Sequence, residues 1–213
     1  MKDRTDWWSI NNGSSLRKNV KVGHENVAVG TFEIAGVNLG SDQFEKRAIK
    51  MGKAPIVERG DASTGRQQVC YVAADDARKA YLIFEVGEDE SVFYLFNDGA
   101  DWIGEKLCLR TKQVSISSGT NSGLKLGLTR AEVEAALGKA DATFDDRLVY
   151  SREVREKTTS AEFEKLRNEY PEHLSDKVAH EKFDFYSIDI YIEARFGKSG
   201  MSYLAVEKSG GIE

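Results

Sequence analysis

Apolar and polar residues alternate along the segment FYSIDIYIEARF, residues 185–196. A period of two is typical of a β-strand that buries one face. The even positions are mainly apolar, so we expect their face to pack against helices, and the odd positions then lie on the opposite face. The even set is Tyr186, Ile188, Ile190 and Ile192, and the odd set is Phe185, Ser187, Asp189, Tyr191, Glu193 and Arg195.

Apolar residues at helical spacing occur in two short segments, one after Gly40 and one after Gly127. Each segment opens with residues that can cap the free backbone N–H groups of a helix start, and each closes at a glycine, Gly52 or Gly138. The capping pairs are Asp42 with Glu45 and Thr129 with Glu132; the apolar stripes are Phe44, Ala48 and Met51, and Val133, Ala136 and Leu137.

These helical segments belong to an internal repeat. Residues 35–54 (AGVNLGSDQFEKRAIKMGKA) match residues 122–140 (SGLKLGLTRAEVEAALGKA) in their glycines and in the closing Gly-Lys-Ala. A tyrosine-bearing strand follows each copy, RQQVCYVA and DRLVYSR, and then a hairpin at residues 81–96 or 190–206.

The spacing of the repeat predicts an insertion in its second copy. The offset between the copies is 87 residues from Gly36 to Gly123 and 109 residues from Tyr94 to Tyr203. The second copy therefore carries a net insertion of 22 residues, which we place at about residues 153–181.

The repeat predicts an α+β fold of two tandem modules, each with a short helix after its Leu-Gly turn and an antiparallel sheet. We expect a first module at residues 24–112 and a second at residues 113–207, with an N-terminal segment before them and a tail after them. These flanking pieces are residues 1–23 and 208–213.

The glycines and lysines of the repeat do not fit a phosphate-binding loop. In that motif, G-x-x-x-x-G-K-[ST], the lysine precedes a helix and a hydroxyl residue follows it. Lys53 and Lys139 instead follow their helices, and alanines come next.

The string Gly-Leu-Lys-Leu-Gly-Leu-Thr-x-x-Glu-Val-x-x-x-Leu-Gly-Lys, residues 123–139, followed by a tyrosine strand, resembles the β-lactamase inhibitory protein-like modules. It resembles equally the small outer-membrane lipoprotein modules of the barrel-assembly machinery. The likeness covers roughly residues 27–206. It implies helices on a curved antiparallel sheet and a noncatalytic, protein-binding function outside the cytoplasm. No contact residue of that family has a matching motif in this chain.

Composition and charge limit the classes of partner. The net charge is −5 and no dense Lys/Arg block occurs, which argues against nucleic acid. No run approaches the roughly 18–20 apolar residues of a membrane span. The first residues lack the apolar core of a signal peptide, so we expect either a cytoplasmic protein or one whose export signal has been removed.

The two cysteines, Cys70 and Cys108, both fall in the first module. In an exported protein we expect them to form a disulfide; the alternative is a pair of buried free thiols in a cytosolic protein. The inhibitory protein that the chain resembles has disulfides in both modules, whereas the second module here contains no cysteine.

Residues for catalysis or metal binding form no motif. His173 and His180 lie seven residues apart, but Pro171 interrupts the segment and no cysteine or i, i+4 histidine pair supports a metal site. His24 is isolated, and no nucleophile motif is present. We therefore expect no metal, no cofactor and no enzymatic activity.

Aromatic residues are predicted to form a partner-binding surface on the sheet. In SYLAVE, residues 202–207, Leu204 and Val206 face inward and Tyr203 faces outward with the odd positions of the preceding strand. Such rings supply most hot spots of protein interfaces. The alternative is that the N-terminal segment, with Trp7 and Trp8, or the insertion covers them. The expected contact residues are Tyr94, Phe96, Trp102, Phe185, Tyr191 and Tyr203.

The insertion has a helix signal of its own. Thr159 and Glu162 make a capping box, an apolar stripe follows, and Pro171 ends it. One hypothesis is a helix that covers a sheet edge; the other is a partner-binding arm. For the whole chain, the alternative to a protein-binding module is a small enzyme or ligand carrier that uses the curved sheet as a pocket.

Overall fold

The fold was analysed in a computed structural model that describes residues 29–40, 43–59, 65–75, 79–87, 90–97, 103–171 and 175–212. These residues form an α+β fold with four α-helices and a mostly antiparallel sheet. The helices are α1 (Gln43–Met51), α2 (Arg130–Leu137), α3 (Ser160–Glu169) and α4 (Asp176–Phe183). The strands are β1 (Glu33–Ile34), β2 (Val37–Asn38), β3 (Val57–Arg59), β4 (Arg66–Ala73), β5 (Tyr81–Val86), β6 (Glu90–Phe96), β7 (Leu109–Thr111), β8 (Ala142–Thr143), β9 (Arg147–Lys157), β10 (Phe185–Gly197) and β11 (Gly200–Ile212).

Nine of the described strands form one sheet in the order β3-β4-β5-β6-β11-β10-β9-β8, and β7 pairs in parallel with β4. The order contains two antiparallel meanders, β4-β5-β6 and β9-β10-β11, which meet where β6 pairs with β11. Strands β1 and β2 form a separate small hairpin. Both segments predicted to be helical after Gly40 and Gly127 are helices.

Local signals set the helix starts. Thr129 and Thr159 are N-caps with complete capping boxes to Glu132 and Glu162, as the sequence predicts. Gly138 ends α2 with a positive φ of 81°, a backbone region in which glycine carries no Cβ penalty. Asp42, the expected cap of α1, lies outside the described residues.

One face of the sheet, called here the first face, carries the main hydrophobic core. The predicted inward positions Ile188, Ile190, Ile192, Leu204 and Val206 all belong to this core, so the alternation read from the sequence is confirmed. Helices α1 and α2 cover the face, and their contributions include Met51 and Val133.

The opposite face, called here the second face, carries a smaller apolar cluster and most of the buried charges. The alternation of each strand places on it Tyr81 and Ile83, Tyr94 and Phe96, and Tyr203 and Ala205. Cys108 packs against this cluster.

Two strands run further than the sequence indicates. β9 continues through Lys157, although the insertion was expected from about residue 153, and β11 continues through Ile212, within the expected tail. The reason is pairing between distant strands, which a local sequence pattern cannot show. β10 pairs with β9 on one side and with β11 on the other, and its residue Tyr186 lies opposite Glu156 of β9 and Ile212 of β11.

The segment predicted to be an insertion forms a helical hairpin at the end of this three-stranded extension. Its buried side chains, Leu166, Ala179 and Phe183 with Phe163 against them, make a cluster separate from the main core. At its base the Thr158 hydroxyl donates to the carbonyl of Phe183 (2.6 Å) and the Thr158 N–H to that of Asp184 (3.0 Å). We call residues 158–185, the helical hairpin together with the first residue of β10, the arm; its residues 172–174 lie outside the described residues.

Cys70 and Cys108 form a disulfide, with their Cα atoms 4.4 Å apart, as the sequence predicts. The bond ties β4 to the segment that leads into β7. None of the described helices is both long enough and apolar enough to span a bilayer.

Removing the disulfide should destabilise the fold. The bridge closes a loop with a sequence separation of 38, for which chain entropy gives about 4 kcal/mol. We expect the Cys70→Ala/Cys108→Ala variant to lose roughly 2–4 kcal/mol in urea unfolding. Reducing agent should lower the wild-type midpoint and leave that of the variant unchanged; equal wild-type midpoints with and without reductant would contradict the bridge.

Candidate functional site

Strand register brings the aromatic rings of the second face together. Tyr81, Phe96 and Tyr203 are direct neighbours on β5, β6 and β11. The Tyr81 and Phe96 rings stack with centroids 5.0 Å apart, and the Tyr203 ring lies 6.4 Å from that of Phe96 and 6.5 Å from that of Tyr94. The three rings predicted from the two hairpins, Tyr94, Phe96 and Tyr203, do form one cluster.

The expectation that these rings form an exposed surface is wrong in this structure. Tyr94 is 2% exposed, Tyr203 3%, Phe96 4% and Tyr191 6%. Phe185 is 40% exposed, and Trp102 lies outside the described residues, as do Trp7 and Trp8.

Side chains from other segments cover some of these rings, and this explains part of their burial. The Arg195 guanidinium lies over the ring of Tyr203, 4.8 Å from its centroid. The Glu105 carboxylate accepts a 2.8 Å hydrogen bond from the Tyr81 hydroxyl, and Cys108 packs against the same cluster. Alternation along a strand predicts which side a ring takes, but contacts from distant segments decide whether that side meets solvent.

A buried carboxylate, Glu85, lies on the second face beside the rings. Its side chain is 1% exposed. Arg66 donates to Oε1 at 2.8 Å, and Gln68 donates to Oε2. Arg66 also pairs with Glu90 across the next hairpin. Burial raises the pKa of the Glu85 carboxyl above its ordinary value, and the bonds from Gln68 and Arg66 oppose that shift.

A second buried carboxylate, Glu193, occupies the other half of the sheet in the same manner. Its side chain is also 1% exposed. Arg147, the first residue of β9, lies 3.2 Å from Oε1, and Arg195 lies 2.6 Å from the same atom. Each half thus has a buried glutamate held by the arginine that begins the preceding strand, Arg66 or Arg147.

Sequence reasoning missed most of this polar cluster. A charged or amide residue inside an apolar strand resembles an exposed position. For this reason the sequence did not single out Arg66, Gln68, Glu85 or Glu207. The available signal was the alternation itself, since Glu85 follows Tyr81 and Ile83 on the same face.

The tyrosine hydroxyls on this face stay protonated at neutral pH. Burial raises the pKa of Tyr94 well above its ordinary value, and the facing carboxylates of Glu85 and Glu207 raise it further. Burial, together with Tyr94 and Glu193, does the same for Tyr203. Within the part of the chain that the structure describes, the Tyr203 hydroxyl has no hydrogen-bond partner. Neutral phenols and carboxylates already held by arginine do not make a general base, so the arrangement favours structure or binding over proton transfer.

The arm carries the one described histidine. The His180 ring stacks on Phe163 with centroids 4.6 Å apart, and its Nδ1 lies 2.7 Å from a carboxylate oxygen of Asp184. His24 and His173 are outside the described residues, so the predicted spacing of His173 and His180 is not represented. Within the described ranges no group of three or more His, Cys, Asp or Glu side chains has the geometry to hold a metal ion.

The arm also presents exposed aromatic surface. Tyr170, at the end of α3, is 42% exposed, and Phe185, where the chain returns to β10, is 40% exposed. Of the six expected contact residues, Phe185 is therefore the described one that solvent reaches most.

No protein-family model, no curated protein and no solved structure matches the chain.

The raised pKa of Glu85 predicts a pH-dependent stability difference. A carboxyl whose folded-state pKa lies above its unfolded value favours the fold at low pH, and this contribution is lost as the pH rises above about 4.5. The free energy of unfolding of Glu85→Gln, relative to wild type, should therefore increase between pH 4 and pH 7, as measured by urea unfolding across that range.

Glu105 supplies a control of opposite sign. Hydrogen bonds from Lys79 and Tyr81 lower the pKa of its carboxyl, so its contribution is present at neutral pH and is lost on acidification. Glu105→Gln should be less stable than wild type at pH 7, and the difference should shrink as the pH falls. The same slope for both variants would contradict this account.

Proposed function

We propose that this chain is a noncatalytic, extracytoplasmic protein-binding module made of two tandem copies of one α+β unit. The sheet is the rigid scaffold, and the arm is the contact element. The resemblance of residues 123–139 to the β-lactamase inhibitory protein-like modules agrees with this function.

Matched burial supports the tandem arrangement. Val37 and Leu124, at corresponding positions of the repeat, are both fully buried. The next corresponding pair, Leu39 and Leu126, is 6% and 7% exposed. The strand order also matches, because each half runs from a short edge strand through a three-stranded meander to the centre.

A matched hydrogen bond supports it further. The Tyr71 hydroxyl donates to the carbonyl of Gly52 at 2.6 Å, and the Tyr150 hydroxyl donates to that of Gly138 at 3.2 Å. In both halves a tyrosine of the first long strand thus holds the glycine that ends the helix. This contact links the Gly-Lys-Ala motif to the tyrosine strand that follows it.

If the halves are equivalent, removing either hydroxyl should destabilise the protein. Tyr150→Phe should cost about 1 kcal/mol, the net value of a typical hydrogen bond. Tyr71→Phe should cost more, because the Tyr71 hydroxyl also accepts a 2.8 Å bond from the buried Arg47. Urea unfolding measures both; a neutral Tyr150→Phe beside a costly Tyr71→Phe would argue against equivalence.

The proposed binding function is supported chiefly by the arm. It is the insertion that distinguishes the second copy, and its apolar cluster is separate from the main core. The core therefore does not need it. A helical pair with so few buried side chains is held in place chiefly by its attachment to β9 and β10. Segments of this kind, positioned by a rigid sheet, commonly carry binding residues.

The disulfide supports a location outside the cytoplasm. Structural disulfides persist in oxidising compartments and are rare in the reducing cytosol. The Cys70–Cys108 bridge lies against the second-face cluster, where it contributes to the stability of the first half.

A ligand carrier is the second candidate, and one observation favours it. The Tyr203 hydroxyl is a buried polar atom that has no hydrogen-bond partner among the described residues, and it lies on the face that carries buried carboxylates. A small polar ligand bound on this face would satisfy this hydroxyl. Under this alternative Tyr203→Phe would abolish ligand binding, whereas under the protein-binding proposal it leaves partner binding unchanged.

The binding function is tested by exposed aromatic substitutions on the arm. Tyr170→Ala/Phe185→Ala should abolish capture of a partner from an envelope fraction, because interface aromatics dominate binding energy. The melting temperature should change by no more than a few degrees, since both side chains are exposed.

A matched control removes apolar surface elsewhere. Ile49 and Ile56 are 83% and 51% exposed in the first half of the chain. Ile49→Ala/Ile56→Ala should keep full capture. If the control loses the partner and the arm variant keeps it, the contact surface is misplaced.

A further inference from the structure

The sheet has one long open edge among its described residues. On that edge, β8 pairs with β9 only at Leu148 and Val149. Beyond this point the Ser151 N–H donates to the Asp141 side chain at 2.9 Å, and no described strand pairs with the outer side of residues 153–157. The other edge is better covered, because β3 and β7 both pair with β4.

Alternation along β9 shows which backbone groups point outward. The Val149 carbonyl accepts from the Asp141 N–H on the β8 side, and the Ser151 N–H also bonds on that side. In an antiparallel strand every second residue points its N–H and C=O to the same neighbour. Glu153, Arg155 and Lys157 therefore direct their N–H and C=O groups away from β10. Such a row is a template for another strand.

The order of charges along this edge is self-complementary. The segment reads Ser-Arg-Glu-Val-Arg-Glu-Lys, residues 151–157. When two copies run antiparallel with Val154 opposite Val154, each Glu153 lies opposite Arg155 of the other copy. In the same register Ser151 lies opposite Lys157 and Arg152 lies opposite Glu156, but the Arg152 guanidinium already pairs with Asp141 of its own chain. The charge pair that the interface adds is therefore Glu153 with Arg155, which occurs twice. No like charges meet directly, and opposite-charge cross-strand pairs stabilise antiparallel strands.

The backbone agrees with this register. Pairing Glu153 with Arg155 joins two residues whose backbone groups both point outward, which is the hydrogen-bonded type of antiparallel pair. Val154, whose backbone pairs with Ile188 on β10, falls at a non-hydrogen-bonded position on the two-fold axis. Two features of each chain limit the length of the pairing. At one end β8 already pairs with Leu148 and Val149 of β9, and at the other end the arm begins at Thr158.

We propose that a second copy of this chain binds along β9, so that two sheets join through a two-fold antiparallel pairing centred on Val154. The segment is short, so the interface belongs to the small, reversible class below roughly 1,200 Å². The dimer is therefore concentration-dependent. Neither exposed aromatic of the arm, Tyr170 nor Phe185, lies on the paired strand β9, although Phe185 lies opposite Lys157 on β10.

Charge reversal tests the pairing by sedimentation velocity over a range of concentrations. Glu153→Lys alone and Arg155→Glu alone each place like charges opposite one another twice per dimer, and either should weaken association roughly tenfold or more. The double variant Glu153→Lys/Arg155→Glu restores opposite charges and should return the dissociation constant to within about threefold of wild type. Thermal unfolding of each variant checks that the monomer remains folded.

The register is tested separately with a single thiol. The two native cysteines are bridged to each other, so Val154→Cys adds the one free thiol of the described chain. Directly opposed non-hydrogen-bonded residues have Cα atoms about 4.5 Å apart, within disulfide range. Mild oxidation should therefore give a covalent dimer on a non-reducing gel.

Matched thiols report the neighbouring registers. Glu153→Cys or Arg155→Cys would cross-link efficiently only if the two-fold axis passed through that residue. Stronger cross-linking at either position than at Val154 would overturn the register. A wild-type protein that stays monomeric at all concentrations, or a double variant that stays as weak as the single ones, would overturn the dimer.

Discussion

The pairing of β6 with β11 is the contact on which the rest of the molecule depends. It runs from Tyr203 opposite Phe96 to Ser209 opposite Glu90 and joins two three-stranded meanders into one sheet. Because of this pairing the first-face core is continuous, with Phe84 and Phe93 of one half in the same cluster as Ile190 and Leu204 of the other. A three-stranded meander with one or two short helices buries little apolar area by itself, so the shared sheet gives each half the core that it lacks alone.

The same pairing explains why charges are buried on the second face. Joining the halves places Tyr94, Phe96 and Tyr203 on the two central strands of the sheet, far from either edge. The carboxylates beside these buried rings, such as Glu85 and Glu193, are buried as well. Isolated buried carboxylates would be strongly destabilising, and two of these carboxylates are compensated by arginine: Glu85 by Arg66, and Glu193 by Arg147 and Arg195. These arginine–glutamate pairs are therefore structural, and they are buried because both faces of the sheet carry a core.

Much of the fold could be predicted from the sequence because its signals are local. The capping boxes at Thr129 and Thr159 span only four residues each, and the bounds of β4 follow from a segment of eight residues. The alternation along β10 assigns each residue to a face without knowledge of the neighbouring strands. The features that the sequence did not predict depend on contacts between distant segments. The burial of Tyr191 and Tyr203, the extension of β9 to Lys157 and the clamp of Arg147 on Glu193 all depend on which strand lies beside which. The alternation therefore assigned Tyr94, Phe96 and Tyr203 to one face of the sheet correctly, but it did not predict that they are buried.

The exposure of each surface also limits where a partner can bind. The first face is covered by helices, and the rings of the second face are buried, so neither offers the described chain a broad interface without rearrangement. The remaining features lie at one end of the sheet, where β9, β10 and β11 extend beyond the end of β6. There the chain departs from the compact centre of the sheet: the extension carries the arm at its tip and an open strand along its side. A sheet whose centre is filled by its own core leaves accessible surface mainly at its periphery, and the arm, with a cluster separate from the main core, lies in that region.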